Sequence, residues 1–96
     1  MEEKILTKHP TGKRGVNISK AKYDAMRATI LECLHGAKEV THPQLDTCVN
    51  KKLKDKFDRS VSWYMECVKL DLEARRVVER TGTKPQRYRL ANAKAR

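Results

Sequence analysis

The chain has little of what several kinds of chemistry require. Among its 96 residues are three cysteines and five aromatic side chains, and no apolar run approaches the roughly 18 residues of a membrane helix. Cys33, Cys48 and Cys67 form no Cys-x-x-Cys pair, which argues against a zinc site. The acidic opening Met1-Glu2-Glu3 precedes no apolar stretch, so no secretory signal is expected. The sequence therefore predicts a cytoplasmic protein with three reduced, largely buried thiols.

Catalytic and ligand-binding patterns are also missing. His9, His35 and His42 cluster neither with each other nor with a cysteine. Gly12-Lys13-Arg14 lacks the earlier glycine and the following Ser or Thr of a phosphate-binding loop. Because no nucleophile triad or catalytic carboxylate pair is recognisable, we expect no enzyme activity, no cofactor, no metal and no small-molecule ligand.

Positive charge is the strongest compositional feature. The chain has 22 Lys and Arg against 12 Asp and Glu, a net charge of +10. Residues 81–96 include five basic and no acidic side chains, so half of the excess lies in the last sixth of the chain. Such a surface attracts polyanions, nucleic acid first, although a solvated basic surface that only maintains solubility has the same composition.

Apolar spacing predicts three helices, each preceded by a residue whose hydroxyl can cap the first turn. In the first helix, Tyr23, Met26, Ile30 and Leu34 recur at helical spacing, and Gly36 is suited to a left-handed position just past the end. The helices predicted are Lys20 to His35 after Ser19, a helix after Thr41 with Pro43 in its first turn and its end near Lys54, and Val61 to about Arg76 after Ser60.

Short β segments are predicted at both ends of the chain. Residues 4–7 and 16–18 are typical of two short strands in an N-terminal arm of residues 1–18. Two β-rich runs, 77–80 and 86–90, flank a turn with Gly and Pro and predict a hairpin. Alternation along the last strand puts Tyr88 and Leu90 inward and Arg87 and Arg89 outward. Residues 91–96 are expected to be a disordered tail.

Helix, short connector, helix, turn, helix, hairpin is the element order of a winged helix-turn-helix domain, here residues 19–90. The chain also resembles a small uncharacterised bacterial winged-helix family, through Pro10-Thr11-Gly12-Lys13, the Trp63-Tyr64 pair and the stretch Lys69 to Ala74. This resemblance implies an α+β, mostly α, fold with three helices and a C-terminal β-hairpin wing. It implies no reaction or ligand.

The third helix of a winged helix normally enters the DNA major groove. Here its polar strip balances Lys69 and Arg76 against Glu66 and Glu73, which favours phosphate contact over base reading. We therefore expect double-stranded DNA binding, in transcription regulation, through the start of helix three and a basic wing. The residues expected to contact DNA are Arg59, Ser60, Ser62, Lys69, Lys84, Arg87, Arg89, Lys13 and Arg14. The alternative is a protein-interaction or dimerisation module with no nucleic-acid role.

The third helix has a second apolar face, formed by Trp63, Cys67, Leu70 and Ala74. Asp71 and Arg75, spaced i, i+4, are placed to form an ion pair beside it. Either the N-terminal arm or a second copy in a homodimer covers this face, and the arm is favoured because its apolar residues have no other evident place to pack.

Overall fold

The computed structural model describes residues 3–9, 11–12, 15–53 and 61–91. Three helices and two small antiparallel sheets form an α+β, mostly α, fold, as the sequence predicts. The helices are α1 Lys20–His35, α2 His42–Leu53 and α3 Val61–Ala74. The strands are β1 Lys4–Leu6, β2 Asn17–Ser19, β3 Val40–Thr41, β4 Val78–Arg80 and β5 Arg87–Leu90. Among the described residues, no helix is both long and apolar enough to cross a bilayer.

The start of α1 and that of α2 follow local capping chemistry. The Ser19 hydroxyl accepts a 3.3 Å hydrogen bond from the Lys22 amide. At α2, the Gln44 amide donates to the Thr41 hydroxyl at 3.3 Å, and the Gln44 side chain accepts from the Thr41 amide at 2.9 Å. This reciprocal pair satisfies two backbone donors at once. Both caps confirm the sequence prediction.

The helix ends differ from expectation in two places. Gly36 has φ −77°, so the predicted left-handed glycine after α1 is wrong; the turn instead continues right-handed, with the Ala37 amide donating to the Leu34 carbonyl. The left-handed residue is Arg76, at φ 65°. The Arg76 amide donates to the Glu73 carbonyl, and the Val77 amide donates to the Leu72 carbonyl. These bonds end α3 at Ala74, two residues before the predicted end.

The N-terminal arm forms a two-stranded sheet, and the C-terminal strands belong to a separate three-stranded sheet. Strand β1 pairs with β2, with Ile5 opposite Ile18. The second sheet has the order β3-β5-β4, so the C-terminal hairpin (β4, β5 and the turn between them) gains a third strand from the α1–α2 connector. Tyr88 is buried and Arg89 exposed, which confirms the predicted alternation for these two residues of β5, whereas Arg87 and Leu90 are both half-buried and do not differ as predicted.

The core lies where the three helices meet the hairpin. Met26, Ile30, Leu45, Met65 and Leu72 have no exposed surface. Burial of this apolar surface is the main stabilising contribution to a domain of this size.

A disulfide joins Cys33 on α1 to Cys48 on α2. The prediction of three reduced thiols is therefore wrong for this pair, and only Cys67, which is half-buried, has a free thiol. The two cysteines are distant in sequence, but each lies on the side of its helix that faces the other helix, so packing brings their sulfurs together.

Candidate nucleic-acid interface

Nine residues were expected to contact DNA, and the structure describes five of them. Arg59, Ser60, Lys13 and Arg14 lie outside the described residues. The structure distributes the five others between α3 and the C-terminal hairpin: Ser62, Lys69, Lys84, Arg87 and Arg89.

Lys69 is buried, so the prediction that it lies on a solvent-facing strip for DNA contact is wrong. Its exposed fraction is 1%. The ammonium lies 4.0 Å from the ring centroid of Tyr88 and 3.4 Å from a carboxylate oxygen of Glu73. The hairpin packs over this part of α3 and removes the side chain from solvent. A helical projection identifies the face on which Lys69 lies but not which element covers that face.

The carboxylates of α3 are paired with cations. Glu73 accepts from Arg80 at 2.6 Å in addition to its contact with Lys69. Glu66 lies 3.7 Å from the imidazole of His42 and 3.9 Å from Lys69. The hydrogen bond to Glu73 raises the pKa of Arg80. The acidic side chains that seemed to oppose phosphate on this helix are thus compensated within the molecule.

Asp71 forms the predicted i, i+4 pair with Arg75, with 2.8 Å between Arg75 Nε and the carboxylate. The structure adds contacts that no sequence spacing indicates. Asp71 also accepts from the Lys8 amide of the N-terminal arm and from the Tyr23 hydroxyl of α1. The arm is therefore attached to α3 through a buried carboxylate.

Ser62, at the start of α3, links this helix to α2 through a side-chain hydrogen bond. It is half-buried and accepts a 3.2 Å hydrogen bond from the Asn50 side chain, which also donates to the Asp46 carbonyl. This bond fixes the start of α3 against α2, so the role that the structure shows for Ser62 is a positioning one.

Arg89 is exposed, as expected, but its charge is shared with two carboxylates. Its guanidinium lies 2.6 Å from Glu79 and 3.3 Å from Glu39. The pKa of Arg89 is raised, chiefly by the hydrogen bond to Glu79. Arg89 therefore contributes less free positive charge to the hairpin than the sequence indicates.

Lys84 and Arg87 retain their charge on the hairpin. Lys84 is exposed in the turn and Arg87 is half-buried on β5. Neither forms an ion pair with another described residue. The sequence has no acidic side chain after Glu79, so the tip and the last strand of the hairpin are positively charged.

The arm covers the second apolar face of α3 less completely than predicted. Ile18 is buried, and Ile5 and Val16 pack against the core. Trp63 nevertheless remains 44% exposed, so the expectation that the arm shields it is wrong. Strands β1 and β2 of the arm pack mainly against α1. The indole of Trp63, at the start of α3, therefore stays partly exposed.

Comparison with known protein families matches residues 4–88 to a family of unknown function, DUF6958. Neither curated proteins nor solved structures gave a significant match. The matched region includes all three helices and most of the C-terminal hairpin. The chain thus belongs to the DUF6958 family of unknown function.

Proposed function

We propose that this domain binds double-stranded DNA through phosphate contacts made by the C-terminal hairpin, acting as the wing of a winged helix-turn-helix. The element order and the position of the hairpin after α3 support this arrangement. We also propose a role in transcription regulation, which many helix-turn-helix proteins have.

The observation that carries the proposal is the charge balance around the hairpin. Lys84 and Arg87 form no ion pair with a described carboxylate, whereas Glu66, Glu73 and Glu79 are each paired with a Lys or Arg. Lys84 and Arg87 therefore leave unpaired positive charge on the element that a winged helix places against the DNA backbone. The sequence also has the basic residues Lys13, Arg14 and Arg59, which lie outside the described residues.

Contact with phosphates, rather than base reading, suits the side chains of α3. Lys69 is buried, and Glu66 is the charged side chain that remains exposed near the start of the helix. A helix with an exposed carboxylate and no unpaired cation lacks the Arg or Lys donors that bind guanine O6 and N7 in the major groove. We therefore expect weak sequence preference.

We also propose a cytoplasmic location. Because neither cysteine of the Cys33–Cys48 bond lies on the hairpin, reducing this bond should leave the DNA affinity of the folded protein nearly unchanged.

The test is fluorescence anisotropy with a mixed-sequence duplex at several salt concentrations. The variant Lys84→Ala/Arg87→Ala should weaken binding and reduce the slope of log affinity against log salt by about two. Lys20→Ala/Lys38→Ala removes the same charge from α1 and the turn after it, and should leave the slope nearly unchanged. Absence of binding by the wild-type protein at low salt, or equal losses in both variants, would contradict the proposal.

A further inference from the structure

A stripe of apolar residues lies on the outer side of α3, next to the exposed Glu66. We call Trp63, Cys67, Leu70 and Ala74 the outer stripe; at 1.5 Å per residue it is about 16 Å long. Trp63 is 44% exposed and the other three are half-buried, and none belongs to the core cluster. A surface helix normally turns polar side chains to solvent, so an apolar outward side marks an interaction surface.

The N-terminal arm extends this apolar surface at one end. Leu6 of β1 is 54% exposed. A depression of about 270 Å³ lies between the arm and the start of α3, and the described residues that line it include Lys4, Lys22 and Trp63 and no carboxylate. Lys4 therefore places a positive charge beside the exposed indole.

Two lysines of the arm, Lys4 and Lys8, lie beside the outer stripe. Lys4 lines the depression with Trp63, at the start of α3. The Lys8 amide bonds to Asp71, two turns further along the helix, so the exposed Lys8 side chain extends from beside the second half of the stripe. On the opposite border, Glu66 is paired with His42 and Lys69. The stripe thus has a positively charged edge along its length and a compensated carboxylate on the other side.

We propose that the outer stripe binds an acidic amphipathic helix of a partner protein. Apolar residues of that helix, at spacing i, i+3, i+4, i+7, would pack on Trp63 and Leu70, while its carboxylates face Lys4 and Lys8. Opposite charge along a contact directs association and fixes orientation. This function is separate from DNA binding, because its residues lie on α3 and the arm rather than on the hairpin.

Charge also selects this occupant over a second copy of the chain. A two-fold contact through the stripe would bring together two copies that each have a net charge of +10, and this repulsion opposes association. A single-stranded nucleic acid would satisfy the lysines, but Leu70 and Ala74 offer no aromatic surface on which bases stack. An acidic helix satisfies both the apolar stripe and the charged edge.

Trp63 is the only tryptophan of the chain, so its fluorescence reports on the stripe directly. The experiment titrates the full chain with a synthetic peptide of about four helical turns, with Leu at helical i, i+3, i+4, i+7 spacing and Glu elsewhere. A matched peptide has Lys at each Glu position. We expect a saturable blue shift of Trp63 emission with the Glu peptide and none with the Lys peptide.

Two variants locate the binding surface. Lys4→Glu/Lys8→Glu should weaken Glu-peptide binding by at least about tenfold, because it reverses the charged edge. Leu70→Asp should abolish binding, with circular dichroism checking that the protein is folded. Lys84→Ala/Arg87→Ala should bind the Glu peptide like wild type, which separates this surface from the DNA-binding one.

Three results overturn the proposal. No blue shift with the Glu peptide, or equal binding of both peptides, would remove the acidic helix as the occupant. A concentration-dependent dimer in sedimentation, with Trp63 shielded in the wild type and exposed in Leu70→Asp, would assign the stripe to a second copy. A larger Trp63 response to a single-stranded oligonucleotide than to the Glu peptide would assign it to nucleic acid.

Discussion

The backbone amide of Lys8 donates a 2.7 Å hydrogen bond to the carboxylate of Asp71, 63 residues further along the chain. The carboxylate is fully buried and also accepts from the Tyr23 hydroxyl and from Arg75 Nε. One side chain therefore joins the N-terminal arm, α1 and α3. Since a buried carboxylate is stable only when its oxygens are paired, these three donors are required together.

Replacing Asp71 should destabilise the whole domain. In Asp71→Asn the charge that pairs with Arg75 is lost, and the amide NH₂ group faces donors instead of acceptors. We expect a loss of about 2–3 kcal/mol in the free energy of unfolding, measured by urea denaturation. The control Asp24→Asn breaks an exposed i, i+4 pair with Lys20 and should have little effect on stability. Equal effects in the two variants would show that Asp71 does not hold the arm.

Alkaline pH should weaken the contact of Tyr23 with Asp71. Burial, and then the hydrogen bond to Asp71, raises the pKa of Tyr23 from 10.0 to about 12. The folded state therefore holds the phenol proton more tightly than the unfolded state. This contribution to stability is fully present below pH 10 and is lost as the pH rises through about 12.

The measurement compares wild-type protein with Tyr23→Phe, because lysines titrate in the same range. The stability difference between the two proteins should shrink as the pH increases from 10 towards 12. A pH-independent difference would contradict a raised pKa at this phenol.

Lys69 should act in folding and not in DNA binding. Lys69→Ala removes its contact with the Tyr88 ring and its pairing with Glu73. We expect a loss of about 2 kcal/mol in the free energy of unfolding, while the salt dependence of DNA binding by the folded variant is unchanged. Lys52→Ala, which removes one exposed partner of Glu32, should have little effect on stability. A reduced salt slope for Lys69→Ala would mean that this side chain reaches phosphate.

Thiol counting should distinguish the three cysteines. Protein purified without reductant and then denatured should show one reactive thiol, Cys67. In the folded protein this thiol should react slowly, because burial and then the nearby Glu66 raise its pKa.

Reduction of the Cys33–Cys48 bond, which closes a loop of sequence separation 15, should lower the free energy of unfolding by about 3 kcal/mol. Cys33→Ala/Cys48→Ala should then be insensitive to reductant in a thermal melt. Three reactive thiols without reductant would overturn the assignment of this bond.

The starts of α1 and α2, and the opposite positions of Tyr88 and Arg89 on β5, were predictable because their causes are local. Ser19 and Thr41 cap helices through hydroxyls that accept from amides three residues away. The outward position of Arg89 and the inward position of Tyr88 follow from the two-residue repeat of a strand. Such features depend on neighbours in sequence, which the sequence contains directly.

Local rules failed where a second element determined the outcome. Glycine is the residue favoured at a left-handed helix end, but Gly36, after α1, has a negative φ. After α3, it is Arg76 that adopts the left-handed conformation, where the chain turns into β4. A helical projection placed Lys69 on a polar strip. In the structure the hairpin packs over this strip at Lys69 and buries the side chain.

The sequence by itself determined the three helices, the hairpin and the excess of positive charge. These follow from capping, periodicity and composition, each of which is a property of short segments. Tertiary structure alone decided that Cys33 meets Cys48, that Asp71 receives the Lys8 amide and that Trp63 stays partly exposed. Each of these outcomes depends on which helix faces meet and at what angle, and that is set by the packing of the whole core rather than by any one segment.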